Sequence, residues 1–336
     1  MTAPSLTIDR LSVLYRTAHG EVLALDDVSV ELERGEIVGL VGQTGSGKST
    51  LVNAILNSLP RHQPGIINGS IRIGSQDPTG RESRALQPRS RPVTLVPQNT
   101  FESLNPLFRV ETQIVDLIRS TSQSRKSWRD WFGSKKLDDR VLKTLEAVQL
   151  PAGRQILERY PHQLSGGQRQ RVMIAMALLT EPQVIIADEP TASLDVSTQM
   201  EVLKLFRRIA SDQKISILLT THNLGAAWEI CDRVMVMHEG RIVESAARET
   251  FFANPRHPYT RSLLASASNP LGRNVIVGTD SEKKTLSAGC QFSKSCVRAL
   301  NVCSAARPPL LLDQPGHEVA CYNPSTSDRP YAYDQP

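Results

Sequence analysis

The stretch "GQTGSGKST", residues 42–50, restricts the fold of this chain more than any other. It fits G-x-x-x-x-G-K-[ST]. It lies between "EIVGLVG" (36–42), a continuous apolar run, and "KSTLVNAIL", whose apolar residues fall at helical spacing. A run that is apolar throughout suits a strand buried on both faces. Strand, glycine-rich loop and helix in that order make a cradle for phosphate. Glycines let backbone N–H groups turn inward, and the helix directs its positive end at the anion. Gly42, Gln43, Thr44, Gly45, Ser46 and Gly47 are expected to form the cradle. Lys48 should reach the β- and γ-phosphates, Ser49 should offer its hydroxyl to Mg²⁺, and Thr50 should lie near the α-phosphate.

The remaining pattern agrees with an α/β chain. "SLTIDRLSVLY" (5–15) and "DVSVELERGE" (27–36) alternate apolar and polar residues, as half-buried strands do. "RPVTLVPQ" (91–98), "QVIIADE" (183–189) and "ISILLTTH" (215–222) read as buried strands. Residues 111–160 read as mainly helical with a polar insertion near 121–138, and another helix is expected near 196–211. "RVMVMHEGRIVES" (233–245) reads as a hairpin turning at Glu239-Gly240. Strands that alternate with helices predict a mostly parallel sheet. The pattern fades after about residue 268 into a tail rich in Pro, Ser and Cys, and there is no internal repeat.

Three further features bear on phosphate chemistry. "VIIADEP" (184–190) sets Asp188 and Glu189 at the end of an apolar strand, where adjacent carboxylates are costly without cationic partners. Asp188 fits a carboxylate that holds Mg²⁺ through water, and Glu189 a general base that polarises the attacking water. Gln98 and His222 each follow a buried strand. Gln98 fits a Mg²⁺ and water contact or an ordinary loop residue, and His222 a γ-phosphate sensor or a structural histidine. "QLSGGQRQR" (163–171) has the S-x-x-Q form of a capping box at a helix start, with Gly166 and Gly167 open to close approach by an anion. It has no lysine and no magnesium hydroxyl, so it is half of a phosphate site.

In the order "GQTGSGKST", "LVPQ", "LSGGQRQR", "VIIADEP", "SLD", "TTH", residues 5–268 resemble the nucleotide-binding subunit of an ABC transporter. The resemblance implies an ABC-type P-loop NTPase: a RecA-like, mostly parallel sheet, an antiparallel β subdomain and a helical subdomain at about 100–182. It implies an ATPase domain over 1–268 and a small Cys-containing C-terminal tail domain over 269–336. Two cassettes pair head to tail in that family, so Ser165, Gly166, Gly167 and Gln168 serve ATP held by the opposite subunit. By the same resemblance Tyr15 stacks on adenine, Asp195 lies at the dimer seam, and His222 is the switch histidine. Gln98 then links the site to membrane subunits. ATP and Mg²⁺ are the implied ligands, and Lys48, Glu189 and His222 the catalytic set.

"ESLNPLFRV" (102–110) and "NPRHPYTRSLLAS" (254–266) are similar to segments of oligopeptide and dipeptide importers of the peptide/nickel group. One departure is "PQNTFESLNP", where that group commonly has an acidic residue and a proline directly after the glutamine. His257-Pro258 should end one element, and "YTRSLLAS" should dock as a short helix. The importer resemblance implies two transmembrane permease subunits, a second cassette, with a paralogue favoured, and an extracytoplasmic substrate-binding protein. A nickel or other small-solute importer uses the same cassette, and a soluble ABC ATPase acting on nucleic acid or ribosomes is the competing class.

Charge and hydropathy agree with the transporter reading. No apolar run approaches the roughly eighteen residues of a bilayer span. "MTAPSLTIDR" lacks the basic start and apolar block of a secretory signal. A peripheral place on the cytoplasmic face of the inner membrane is expected. The net charge of +5 is mild. The basic stretches, Arg81 to Arg91 and "RKSWRDWFGSKK" (125–136), read as solvated loops or as contacts to lipid headgroups or a partner, and lack the interleaved aromatics of a nucleic-acid groove.

Four of the five cysteines, Cys290, Cys296, Cys303 and Cys321, fall in the tail as C-x5-C-x6-C-x17-C. A reducing compartment disfavours disulfides. Four thiolates suit Zn²⁺ or an iron–sulfur cluster, and the lack of a C-x2-C knuckle favours the cluster; free thiols are the remaining reading. The tail also resembles that of peptide-importer ATPases, which implies a [4Fe–4S] site. Cys231 reads as a small buried hydrophobe.

Overall fold

The structure is a computed structural model that describes residues 3–17, 20–59, 65–74, 92–121, 135–151, 153–268 and 288–325, with 135–138 described by backbone alone. The basic stretches at 81–91 and 125–134 lie outside the described residues. The strands are β1 (Leu6–Thr17), β2 (Gly20–Leu32), β3 (Ile37–Val41), β4 (Ile66–Ile73), β5 (Val93–Val96), β6 (Val184–Asp188), β7 (Ser216–Thr221), β8 (Arg233–His238), β9 (Arg241–Ala247), β10 (Leu311–Gln314) and β11 (His317–Val319). The helices are α1 (Lys48–Ile55), α2 (Thr100–Ser103), α3 (Val110–Thr121), α4 (Lys135–Ala147), α5 (Gly153–Glu158), α6 (Gly166–Leu179), α7 (Val196–Gln213), α8 (Leu224–Ile230), α9 (Arg248–Ala253), α10 (Pro258–Ser268) and α11 (Asn301–Ala305).

The chain divides into two compact units. One comprises Met1–Ser5, Glu33–Glu36 and Ile73–Leu218; the other comprises Leu6–Leu32, Ile37–Arg72 and Leu219–Pro336.

In the first unit, β5 pairs with β6 in parallel, from Val93↔Val184 to Val96↔Ala187. The first four residues of β6 are buried, as the apolar run predicts for a strand covered on both faces. Helices α2 to α7 and the start of β7 also fall in this unit. Val110, Ile114 and Ile118 of α3 recur every four residues and are buried, the stripe of an amphipathic helix. Arg171 of α6, 8% exposed, donates to the carbonyl of Val148 at 3.1 Å and pairs with Glu201 of α7 at 2.7 Å. The mainly helical span expected over 111–160 is broken into three described helices. Gln149 adopts φ 63, a left-handed residue that ends a helical run, and Pro151 follows it.

In the second unit, β1 and β2 form an antiparallel hairpin, with β4 on the other edge of β1. Its register slips between Ile8 and Leu11, where Arg10 has φ 48. β3, wholly buried, pairs in parallel with β8, and β8 turns back antiparallel into β9. Glu239 (φ 43) and Gly240 (φ 84) make that turn; two positive φ values suit the twist of a tight hairpin. β11 pairs with β9 and β10 with β11, both antiparallel. The sheet pairing is therefore mixed where the sequence pattern suggested mostly parallel strands. Among the described residues, the tail adds its strands directly beside β9. Cys231 is fully buried.

Candidate nucleotide site

The phosphate loop begins where β3 ends and closes at the start of α1. Gly47, the N-cap of α1, sits at φ 113, a conformation open to glycine at little cost. Lys48 is 8% exposed, and its ammonium rests on the loop itself, donating to the carbonyls of Gly42 at 2.6 Å and Gln43 at 3.0 Å. The loop has outside supports. Gly240 N–H donates to the Ser46 carbonyl at 2.6 Å, and Gln43 N–H donates to the Tyr259 hydroxyl at 3.4 Å. Thr44, Gly45 and Ser49 are exposed at the mouth, with Thr50 half-buried. Tyr15, half-buried on β1 opposite Val22, and exposed His222 fall in this same unit.

The first unit carries Gln98, Asp188, Glu189, the 165–168 turn and Asp195. Gln98 Nε2 donates to Glu189 Oε2 at 2.9 Å. Glu189 adopts φ 43 directly after β6, a left-handed conformation for a residue with a side chain, of the kind that concentrates at functional sites. Asp188 and Glu189 are both half-buried. The capping box is formed: Gln168 N–H donates to Ser165 Oγ at 3.2 Å, and Ser165 N–H donates to Gln168 Oε1 at 3.1 Å. Gly167 has a second reason to be glycine. A Cβ there would lie 2.6 Å from Cγ2 of Thr198, in the first turn of α7. Asp195 caps that helix, accepting from Thr198 N–H at 3.0 Å and from Ser197 Oγ at 2.6 Å. Those bonds hold its carboxyl well below the usual carboxylate range.

Cys290, Cys296, Cys303 and Cys321 line one cavity, together with His257, Pro258 and Phe292. Burial raises the Cys290 and Cys296 thiols and pushes Cys321 up to about 11. The donor set suits a thiolate-bound group, yet among the described residues no three His, Cys, Asp or Glu side chains are arranged to hold a metal ion.

Some residues of this region were not legible beforehand. Glu244 of β9, wholly buried, accepts from Arg256 N–H at 2.7 Å and from His257 N–H at 2.8 Å, and meets His317 Nε2 at 2.8 Å. Nothing in "RIVES" marks that glutamate as interior. Pro258 opens α10, and α9 has already ended at Ala253, so His257-Pro258 starts an element instead of closing one.

The model of the ABC transporter family matches residues 25–192, and that of the oligopeptide/dipeptide transporter C-terminal region matches residues 243–303. The oligopeptide transport ATP-binding protein AppD of Bacillus subtilis is 35% identical over 322 residues, covering 94% of this chain and 96% of the relative. The chain belongs to the ATP-binding proteins of the oligopeptide/dipeptide ABC transporter family. The probable D,D-dipeptide transport ATP-binding protein DdpD of Escherichia coli is 37% identical over 96% of this chain and 98% of its own length. OppD of Salmonella typhimurium is 34% identical over 95% and 93%. Among solved structures, cbiO1 of Clostridium perfringens, part of the transporter complex cbiONQ, aligns with TM-score 0.61 at 26% identity, covering 74% of this chain and 91% of that one. A dimeric ATP-binding cassette bound to ADP and Pi aligns with TM-score 0.60 at 24% identity over 72% and 98%, a likeness of fold. This oligopeptide/dipeptide-family protein is thus an ATPase subunit of the ABC transporter type. None of the helices among its described residues is long and apolar enough to cross a membrane.

Proposed function

We propose that this chain hydrolyses ATP on the cytoplasmic face of the membrane to drive import of di- and oligopeptides through two permease subunits. The observation that carries the reading is the transporter C-terminal segment at 243–303, joined to a phosphate loop whose lysine and glycines are in place. Lys48 leaves its own loop carbonyls for the β- and γ-phosphates, and Ser49, Gln98 and Asp188 hold Mg²⁺, the charge-neutralising metal of such sites. Glu189 orients the attacking water, His222 senses the γ-phosphate, and Tyr15 stacks on adenine. The half-site at Ser165–Gln168 closes over ATP of a second cassette, a paralogue, with Asp195 at the seam. A substrate-binding protein outside the membrane delivers the peptide.

Exposed apolar side chains support a permease contact. Phe101, Leu107 and Phe108 follow Gln98 closely and are 57%, 78% and 50% exposed. In the tail, a [4Fe–4S] cluster on the four cysteines is supported by their shared cavity and requires the thiols to draw together. Iron–thiolate absorbance of anaerobically purified protein, absent from a Cys290→Ser variant, tests that part.

The decisive experiment is a gentle-detergent pull-down of the tagged chain from its own host, with mass spectrometry. Two polytopic membrane proteins and a second cassette are expected. Ribosomal proteins or nucleic acid with no membrane chain would overturn the importer reading.

A further inference from the structure

We propose that Tyr259 is a positioning residue of the phosphate loop, held in place by Phe292 of the cysteine-rich tail. The inference rests on the phosphate-loop reading and deepens it. Tyr259 is 1% exposed and reaches the loop from α10, where its hydroxyl accepts from Gln43 N–H at 3.4 Å. The carbonyl of the same residue, Gln43, accepts from the Lys48 ammonium at 3.0 Å. One loop residue is thus gripped from both ends of its backbone, by the tyrosine and by the lysine that meets phosphate. When Lys48 turns to its anion, Gln43 loses that partner and Tyr259 remains.

The tyrosine is itself wedged. Its ring lies 4.1 Å from the ring of His238 and 5.5 Å from that of Phe292, and Phe292 stands edge-on to His238 at 5.7 Å. His238 ends β8, two residues before Gly240, whose N–H holds the Ser46 carbonyl at 2.6 Å. Phe292, 6% exposed, comes from the segment between Cys290 and Cys296 and lines the cysteine cavity. Ring contacts therefore run from Phe292 of the tail to Tyr259, which meets Gln43, and to His238, which the chain joins to Gly240 two residues on. A phenylalanine would fill the same space as Tyr259. A buried hydroxyl is costly unless it is bonded, and the bond found here is to the loop.

The test compares the full-length chain with Tyr259→Phe, Phe292→Leu and Lys48→Ala. The readouts are equilibrium binding of Mg–ATP, amide hydrogen exchange resolved to residues 42–47, and thermal unfolding. Tyr259→Phe is expected to weaken ATP binding roughly three- to tenfold and to speed exchange in the loop, with melting nearly unchanged. Phe292→Leu, which keeps an apolar side chain of similar size, is expected to speed exchange at the same amides. Wild-type exchange and affinity in Tyr259→Phe, with binding lost in Lys48→Ala, would overturn the inference and leave the loop assignment standing. Faster exchange spread across β3 and β8 would reduce Tyr259 to a packing residue and overturn it too. Unchanged ATP affinity in Lys48→Ala would remove the phosphate-loop reading itself.

Discussion

The side-chain amide of Gln98 donates to the carboxylate of Glu189 at 2.9 Å, linking residues 91 positions apart in sequence. The residue expected to connect the site with the permeases thus sits on the expected general base. One of its N–H groups restrains a carboxylate oxygen of that residue. Gln98→Ala is expected to lower ATP turnover in the assembled transporter several-fold, since Glu189 loses an orienting partner. Wild-type turnover in reconstituted complexes would show the bond to be incidental.

Glu189→Gln keeps shape and removes the base. Turnover is expected to fall by about 100-fold or more while ATP stays bound. Single-turnover hydrolysis in the assembled complex measures this, and a near-normal rate would dismiss the assignment.

Lys48→Ala acts earlier. The ammonium is the loop's cation, and charge-assisted contacts of this kind contribute about 1.5–3 kcal/mol each. ATP affinity is expected to drop about tenfold or more, as read by equilibrium binding with the isolated chain.

Gly167→Ala places a methyl 2.6 Å from Cγ2 of Thr198. Overpacking of this sort costs about 1–3 kcal/mol. Thr198→Ser removes that methyl and keeps a hydroxyl, so the double variant is expected to recover most of the loss in melting temperature. If it recovers nothing, the glycine is there for another reason.

His257 gives a pH dependence. Burial, with a smaller contribution from His238, lowers its imidazole from 6.5 to about 3. Glu244 faces its backbone N–H, and Cys290 shares the cavity beside it. Below pH 6.5 the unfolded chain takes up a proton that the folded chain refuses until about pH 3, so the folded state loses stability as pH falls through that window. His257 Nδ1 accepts from Tyr259 N–H at 3.0 Å, and His257→Asn keeps a side-chain acceptor there but does not titrate. Its melting temperature is expected to fall less steeply with acid than that of the wild type, and equal slopes would contradict this.

Local chemistry made much of the protein readable from its sequence. A phosphate loop needs glycines, a lysine and a hydroxyl within nine residues, and β3 and the first four residues of β6 announce themselves as unbroken apolar runs. The capping box at Ser165 and Gln168 is a pattern four residues long and is formed as expected. The two adjacent carboxylates, Asp188 and Glu189, stand half-buried at the end of an apolar strand, a position visible in one dimension.

Tertiary structure decided what depends on residues far apart in the chain. Glu244 lies in a segment read only as a hairpin and is buried, with β11 paired to β9 and His317 supplied from 73 positions away. β10 and β11 are too short to show a period, and exposed β10 carries no apolar alternation. Gly167 seemed free for an anion, and only the approach of Thr198 revealed a steric reason for it. Tyr259 stood in a stretch notable only for its resemblance, until folding brought its hydroxyl to Gln43. Sequence fixes chemistry that neighbours along the chain can complete; burial and shape at these residues come from partners that only the folded backbone brings within a few ångströms.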